Sequence, residues 1–359
     1  MDVIEIKTAH MRQLAEYRRS IIDAPPLKNL FLELTLRCNE HCLHCGSRCG
    51  EHDSPAELTS DQYKRILDQI KRDFGDHLPE IDVTGGEPLL RSDFYEIMGY
   101  ANSLGFRWGM TSNATLIDRE AARMLYECGM KTISVSIDGP ENTHDTLRGR
   151  KGAFAAAMNG INALIAHGGF GHIQITTVIN HRNINELSEM FDILSDVNVD
   201  SWRVINIEPI GRANDHPDLM LSDDEYRRMF DFIRDKRREG YPVTYGCSHF
   251  LGAEYEREVR KWYFLCNAGI YTASILANGD IAACLDIERR PELIQGNILR
   301  DNLRDVWRDG FKTFRRDLSE RNKKCRSCEH CEFCHGGAHH SWDYDRNEQR
   351  ICFKGILFG

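Results

Sequence analysis

No stretch of this 359-residue sequence approaches 18 consecutive apolar residues, so nothing in it reads as a transmembrane helix. Its opening, MDVIEIKTAHMRQLAEYRRS, lacks the continuous apolar core of a secretory signal. Basic charge is short as well. Lys and Arg number 46 against 55 Asp and Glu, a formal net charge of −9. Non-specific binding to nucleic acid or anionic membrane needs a basic surface, so neither is expected as a partner. No internal repeat or low-complexity tract stands out. A cytoplasmic globular protein is left. Its 41% hydrophobic and 28% charged residues are ordinary for that class, and its length fits about two domains.

Cysteine is abundant: there are 13, in a chain with no export signal. Disulfides are rare in a reducing cytosol, where clustered thiols more often bind metal or do redox chemistry. Cys38, Cys42 and Cys45 form C-x3-C-x2-C, with Cys49 nearby. Cys325, Cys328, Cys331 and Cys334 follow one another at three-residue steps, bracketed by Cys266, Cys284 and Cys352. Cys128 and Cys247 stand apart, and Cys128 falls on the apolar side of a helical pattern, as a core thiol would.

Between residues 31 and 240 strand-like and helix-like patterns alternate. Strands are expected over 31–36, 80–86, 106–113, 131–139, 172–180 and 201–211, helices over 60–74, 94–105, 118–129, 151–169, 184–197 and 222–240. Ser222 is placed to cap the last helix and Gly240 follows its end. Such β-α alternation predicts a parallel sheet with helices outside it, either doubly wound or a partial barrel. In both, reactive groups gather at the C-terminal ends of the strands. The unusual residues fall there: the cysteine triplet after the first strand, Gly85, Gly86, Glu87 and Pro88 after the second, Thr111, Ser112 and Asn113 at the third, Ser136 and Asp138 at the fourth, Glu208 and Pro209 at the sixth. From about 245 the alternation gives way to cysteines, glycines and short segments. The reading is therefore a lead-in over 1–29, an α/β unit over 30–244 and a smaller metal-held unit over 245–359.

Three thiolates without a regular fourth suit a centre with one open corner, such as an iron–sulfur cubane with one iron free for an outside ligand. The alternative is a zinc knuckle that recruits Cys49. With GGEP on the next strand end, the pattern resembles the radical S-adenosylmethionine (SAM) superfamily. That resemblance implies a partial (β/α)6 TIM-type barrel and a 4Fe–4S cluster on Cys38, Cys42 and Cys45 whose free iron is chelated by SAM. His44 stands where the family often has a flat ring. Gly85, Gly86, Glu87 and Pro88 would then hold the methionine amino group, Ser136 and Asp138 would lie near ribose and methionine, Asn113 would add a polar contact, and Glu208 and Arg212 (EPIGR) would lie near adenine.

The C-terminal cysteines resemble the SPASM extension of peptide- and protein-modifying members. Cys325, Cys328, Cys334 and Cys352 match its complete four-cysteine auxiliary cluster. Cys266 and Cys284 match part of another, but Ala338 stands where that cluster expects a cysteine, and Cys331, Cys247 or a histidine from His335–His340 are the available substitutes. One or two auxiliary clusters are thus implied, with zinc as the alternative occupant of the C-x2-C pairs. The resemblance also implies a reducing partner of flavodoxin or ferredoxin type and a peptide or protein substrate. Residues 1–29 are too short for a fused winged-helix leader-recognition domain. An enzyme acting on a small metabolite or cofactor precursor, and a non-catalytic iron–sulfur or zinc protein, are the competing readings. Asp286, two residues after Cys284, is the candidate catalytic acid or base, against the plainer reading of a solvated loop carboxylate. Trp342, Asp343 and Tyr344 read as packing residues.

Overall fold

Two capped helices show how locally the sequence dictates its structure. In the computed structural model, which describes residues 2–51 and 56–359, Thr59 accepts from the Gln62 amide at 3.2 Å and the Gln62 side chain returns to the Thr59 amide at 2.8 Å. This reciprocal cap starts the helix Ser60–Phe74, and Tyr63, Ile66, Leu67 and Ile70 form its buried stripe. Ser222 and Glu225 repeat the device before Asp223–Arg238.

In chain order the elements are α1 Val3–Ile21, β1 Asn29–Thr35, α2 Ser60–Phe74, β2 Glu80–Gly85, α3 Phe94–Ser103, β3 Trp108–Ser112, α4 Arg119–Glu127, β4 Met130–Ser136, α5 Glu141–Arg148, α6 Ala153–His167, β5 His172–Ile179, α7 Leu187–Ser195, β6 Ser201–Asn206, α8 Asp223–Arg238, β7 Val243–Tyr245, β8 Thr272–Ile275, β9 Asp280–Ala282 and β10 Gly296–Asn297. Strands β1 to β7 lie side by side in sequence order and all parallel. This is the expected α/β fold, a parallel sheet of partial TIM-barrel type with a cysteine-rich C-terminal region. The core is continuous from Leu30, Leu32 and Leu34 through Val83, Trp108, Ile133, Ile175 and Val204.

Three features depart from the sequence reading. The lead-in is mostly a helix. Its buried positions, Lys7, Met11, Ala15 and Arg18, recur at helical spacing, but only two are apolar, so the periodicity is faint. It is fastened to the C-terminal region by Lys7–Glu258 at 2.7 Å and by Arg18–Asp317. Second, β7 carries the parallel sheet past β6, and β8 pairs with the free side of β1 as a further parallel strand, with β9 and β10 added antiparallel beyond it. The C-terminal region therefore shares the barrel's sheet and is not held by thiols alone. Third, α5 was not anticipated, because ENTHDTLR offers one apolar residue, Leu147. No helix among the described residues is long and apolar enough to cross a membrane.

Candidate active site

The cysteine loop leaves β1 at Leu36 and returns at Gly50, whose amide donates to the Leu36 carbonyl at 2.8 Å. The second strand end is pressed directly beneath it. The Gly86 amide donates to Thr35 O at 2.7 Å and the Glu87 amide to Arg37 O at 2.9 Å. A Cβ on Gly86 would lie 2.0 Å from the Arg37 carbonyl oxygen, and one on Gly85, at φ 140°, would lie 2.2 Å from Thr35 O. The two glycines are thus required by the approach of two backbones, whatever else binds above them.

Two arginines clamp the loop from the other side of the rim. Arg212, buried, donates from Nε to the Cys42 carbonyl and from Nη2 to the Cys49 carbonyl, each at 2.9 Å, while its amide donates to Cys45 O at 2.9 Å. The end of α5 binds the loop backbone: the His41 amide meets Arg148 O and the Leu43 amide meets Leu147 O, both at 2.9 Å. The Arg148 side chain then pairs with Asp138 at 2.7 Å and reaches Glu40 at 3.5 Å and the Cys42 sulfur at 3.7 Å. His44 closes the network on Asp138 at 3.1 Å. Burial would raise Asp138, but Arg148 and His44 outweigh it and hold its carboxyl far below the usual range.

Glu87 lies fully buried beside this loop. Its carboxylate accepts from the Ser112 hydroxyl at 3.0 Å, the Asn113 amide at 2.9 Å and the Leu89 amide at 3.3 Å. Burial still pushes it up to about 7. Asn113 donates from its side chain to Asn39 of the loop at 2.8 Å. Ser136 is half-buried at the end of β4. Glu87, Asn113, Asp138 and Arg212, expected from the sequence at the cofactor, thus brace the cysteine loop in this geometry. Glu40 and Arg148 were missed altogether. No periodicity marks them, since each gains its role from a partner far away in sequence.

The donor set fits a cluster better than a single ion. Among the described residues, no three cysteine sulfurs approach within 4.8 Å of one another, whereas four thiolates on one zinc lie about 3.8 Å apart. In a cubane each thiolate binds its own iron, so the sulfurs stand wider. Burial pushes Cys38 up to about 11 and Cys42 up to about 12. Such thiols lose their protons to a bound cation. Cys49 lies against Cys45, its amide donating to the Cys45 sulfur at 3.4 Å, and its thiol also reaches the Gly85 carbonyl at 3.3 Å.

In the C-terminal region Cys325, Cys328, Cys334 and Cys352 are mutual electrostatic neighbours: after burial, Cys352 and Cys328 are what raise Cys325, and Cys352, Cys325 and Cys328 raise Cys334. Cys331 also acts on Cys325. Cys266 and Cys284 are half-buried, Cys266 acts on Cys284, and Ala338 is fully buried. Asp286 lies close to Cys284, its carboxylate 4.0 Å from the sulfur. Trp342 is buried in a two-residue strand, Trp342–Asp343, as a packing residue would be. Glu208, at the β6 end, turns to His249 at 2.6 Å rather than to the cysteine loop.

The family model described as the radical SAM superfamily matches residues 32–194, and that of the SPASM iron–sulfur cluster-binding domain matches 266–332. The AdoMet-dependent heme synthase of Nitratidesulfovibrio vulgaris is 33% identical over 60% of this chain, a match that spans 58% of that enzyme. The mycofactocin maturase MftC of Mycobacterium tuberculosis is 30% identical over 92% of this chain and 82% of its own. The crystal structure of Streptococcus suis SuiB bound to its precursor peptide SuiA superposes with a TM-score of 0.69 at 18% identity, covering 94% of this chain and 77% of that one, a likeness of fold.

Proposed function

This chain belongs to the radical SAM superfamily and carries a C-terminal SPASM iron–sulfur region, and on that premise we propose that it modifies a side chain of a peptide or protein. The observation that supports the substrate class is the 30% identity to a maturase over 92% of the chain, slightly above the 28% over 89% that an AdoMet-dependent heme synthase of Oleidesulfovibrio alaskensis reaches. Residues 30–244 act as the radical barrel and 245–359 as the auxiliary unit.

In this reading Cys38, Cys42 and Cys45 hold the 4Fe–4S cluster, and Cys325, Cys328, Cys334 and Cys352 an auxiliary one. When bound and reduced by a flavodoxin- or ferredoxin-type donor, the first cluster with SAM supplies a 5′-deoxyadenosyl radical that abstracts a hydrogen atom. The chain's own residues prepare that chemistry. Gly85 and Gly86 let β2 support the loop, Arg212 fixes its carbonyls, and Arg148 directs an N–H toward Cys42, the kind of contact that tunes cluster potential.

The test pairs reduced enzyme and SAM with a small peptide encoded beside its gene, read by mass spectrometry for loss of a pair of hydrogens or an isobaric change. Replacing Cys38, Cys42 and Cys45 together by alanine is expected to abolish 5′-deoxyadenosine formation under dithionite while leaving auxiliary iron. Reconstituted protein is expected to hold about eight irons for one auxiliary cluster or about twelve for two, at four per cubane. Continued cleavage by the triple variant overturns the cluster assignment. The similarity to a heme synthase supports a second reading, a tetrapyrrole substrate. A stoichiometric Soret shift on adding an iron porphyrin, with no peptide accepted, would move the assignment there.

A further inference from the structure

Where the barrel meets the C-terminal region, three buried side chains from distant segments converge. Glu208 follows β6, His249 follows β7, and His340 lies between Cys334 and Cys352 of the SPASM region. Their side chains are 9%, 3% and 11% exposed. Glu208 Oε1 lies 2.6 Å from His249 Nε2 and 3.6 Å from His340 Nε2, and the two Nε2 atoms are 3.2 Å apart.

Hydrogen bonding alone does not satisfy this triangle. A proton on His249 Nε2, spent on Glu208 at 2.6 Å, leaves the His340 Nε2 lone pair without a donor of its own. If His340 instead donates to His249, a ring lone pair faces a carboxylate oxygen at 2.6 Å. Protons on both rings set two N–H groups head to head at 3.2 Å. In addition, Glu208 Oε2 is buried with no hydrogen-bond partner. A cation in the centre lets all three atoms present lone pairs inward. Four ligands at about 2.0–2.1 Å from a tetrahedral ion stand about 3.3 Å apart, within the observed range of 2.6 to 3.6 Å.

We infer that Glu208, His249 and His340 bind a single divalent transition-metal ion, separate from the thiol sites, through two imidazoles and a carboxylate. Among the described residues it is the one set of three such donors that meets at single-ion distance. The carboxylate is already oriented: Asn206 donates to Oε1 at 2.8 Å and is itself held by the Tyr245 hydroxyl at 2.6 Å. Arg260 fixes the His249 carbonyl at 2.6 Å. Three protein ligands leave a fourth position open. The ion ties the β6 rim to the segment beyond the last C-x2-C thiols, close to where Ala338 replaces an expected cluster cysteine.

Zinc is the probe, because it binds nitrogen–oxygen sites more tightly than ferrous iron left by reconstitution. The reconstituted full-length protein is equilibrated anaerobically with Zn2+, desalted, and assayed for zinc and iron by mass spectrometry and for the zinc environment by X-ray absorption. One zinc per chain is expected, with nitrogen and oxygen scatterers at about 2.0–2.1 Å and the outer-shell signature of imidazole. His340→Gln and His249→Gln are each expected to weaken zinc binding at least tenfold with iron content unchanged. If either variant fails to retain iron, the wild-type spectrum alone decides. No retained zinc, a sulfur shell at about 2.3 Å, or zinc that survives the paired histidine replacement overturns the assignment.

Discussion

Replacing Arg212 by methionine asks whether this side chain serves the loop or the cofactor. Methionine keeps much of the buried stem but removes the two N–H groups that meet the carbonyls of Cys42 and Cys49 at 2.9 Å. A hydrogen bond from a charged group is worth about 1.5–3 kcal/mol, so the pair contributes about 3–6 kcal/mol to keeping the loop closed. The backbone bond from the residue 212 amide to Cys45 O survives and limits the damage to the loop. At 1.4 kcal/mol per decade, the open loop becomes about 10²–10⁴ times more populated. Arg212→Met is therefore expected to lose the iron of one cluster and the matching visible absorbance, and with them 5′-deoxyadenosine formation, while the other iron stays. Arg212→Lys, which can satisfy one carbonyl, should fall between. The refuting result is a variant with full iron and a raised KM for SAM, which would place Arg212 at the cofactor and not under the loop.

Gly86→Ala puts a methyl 2.0 Å from the Arg37 carbonyl oxygen, so the β1–β2 junction must shift. A cost of about 3 kcal/mol or more and loss of loop iron are expected, with the barrel's circular dichroism retained. Arg148→Met takes the guanidinium that sits 2.7 Å from Asp138 away from a fully buried carboxylate. Such an orphaned charge costs about 3–5 kcal/mol, to be read from the urea midpoint. Glu87 gives a pH signature. Its carboxyl is pushed from 4.5 up to about 7 by burial, so the folded state keeps a proton that the unfolded chain releases. Stability from this group therefore falls as pH rises from about 4.5 to 7, by on the order of 3 kcal/mol. Glu87→Gln should flatten that slope in urea midpoints taken across the window, and an unchanged slope would assign it to other groups.

Much of the fold was legible because its signals are local. Ser222 announces the start of α8 at its cap, and the buried stripes of α2 and α8 follow at helical spacing. Strict alternation made the sheet parallel, but the order of its strands, doubly wound or sequential, was left open by it. Helix α1 was not legible, since two of its four buried residues are the stems of Lys7 and Arg18, which rank as polar in any hydropathy pattern. Nor was β7, three residues long, or β8, whose partner is the first strand of the chain. In the site, the thiol spacing and GGEP marked the right loop. What they did not reveal was the bracing at that rim: Asp138 meets His44 and Arg212 meets the Cys42 and Cys49 carbonyls, while the Glu87 carboxylate turns to Ser112 and Asn113. The Glu208–His249–His340 set draws on three segments that no single motif joins.

The pairing of β8 with β1 bears on how the protein is made. Strand β1 leaves the ribosome early, but the strand that covers its free side is Thr272–Ile275, about 240 residues later. At about 5–20 residues per second, that edge waits about 12–50 seconds for its neighbour during synthesis. Through that interval the strand leading into Cys38, Cys42 and Cys45 offers one unpaired row of amides and carbonyls to any passing chain. Slow translation or overproduction should therefore favour aggregation through this edge, and a chaperone bound at β1 would protect the nascent barrel and its future metal centre together.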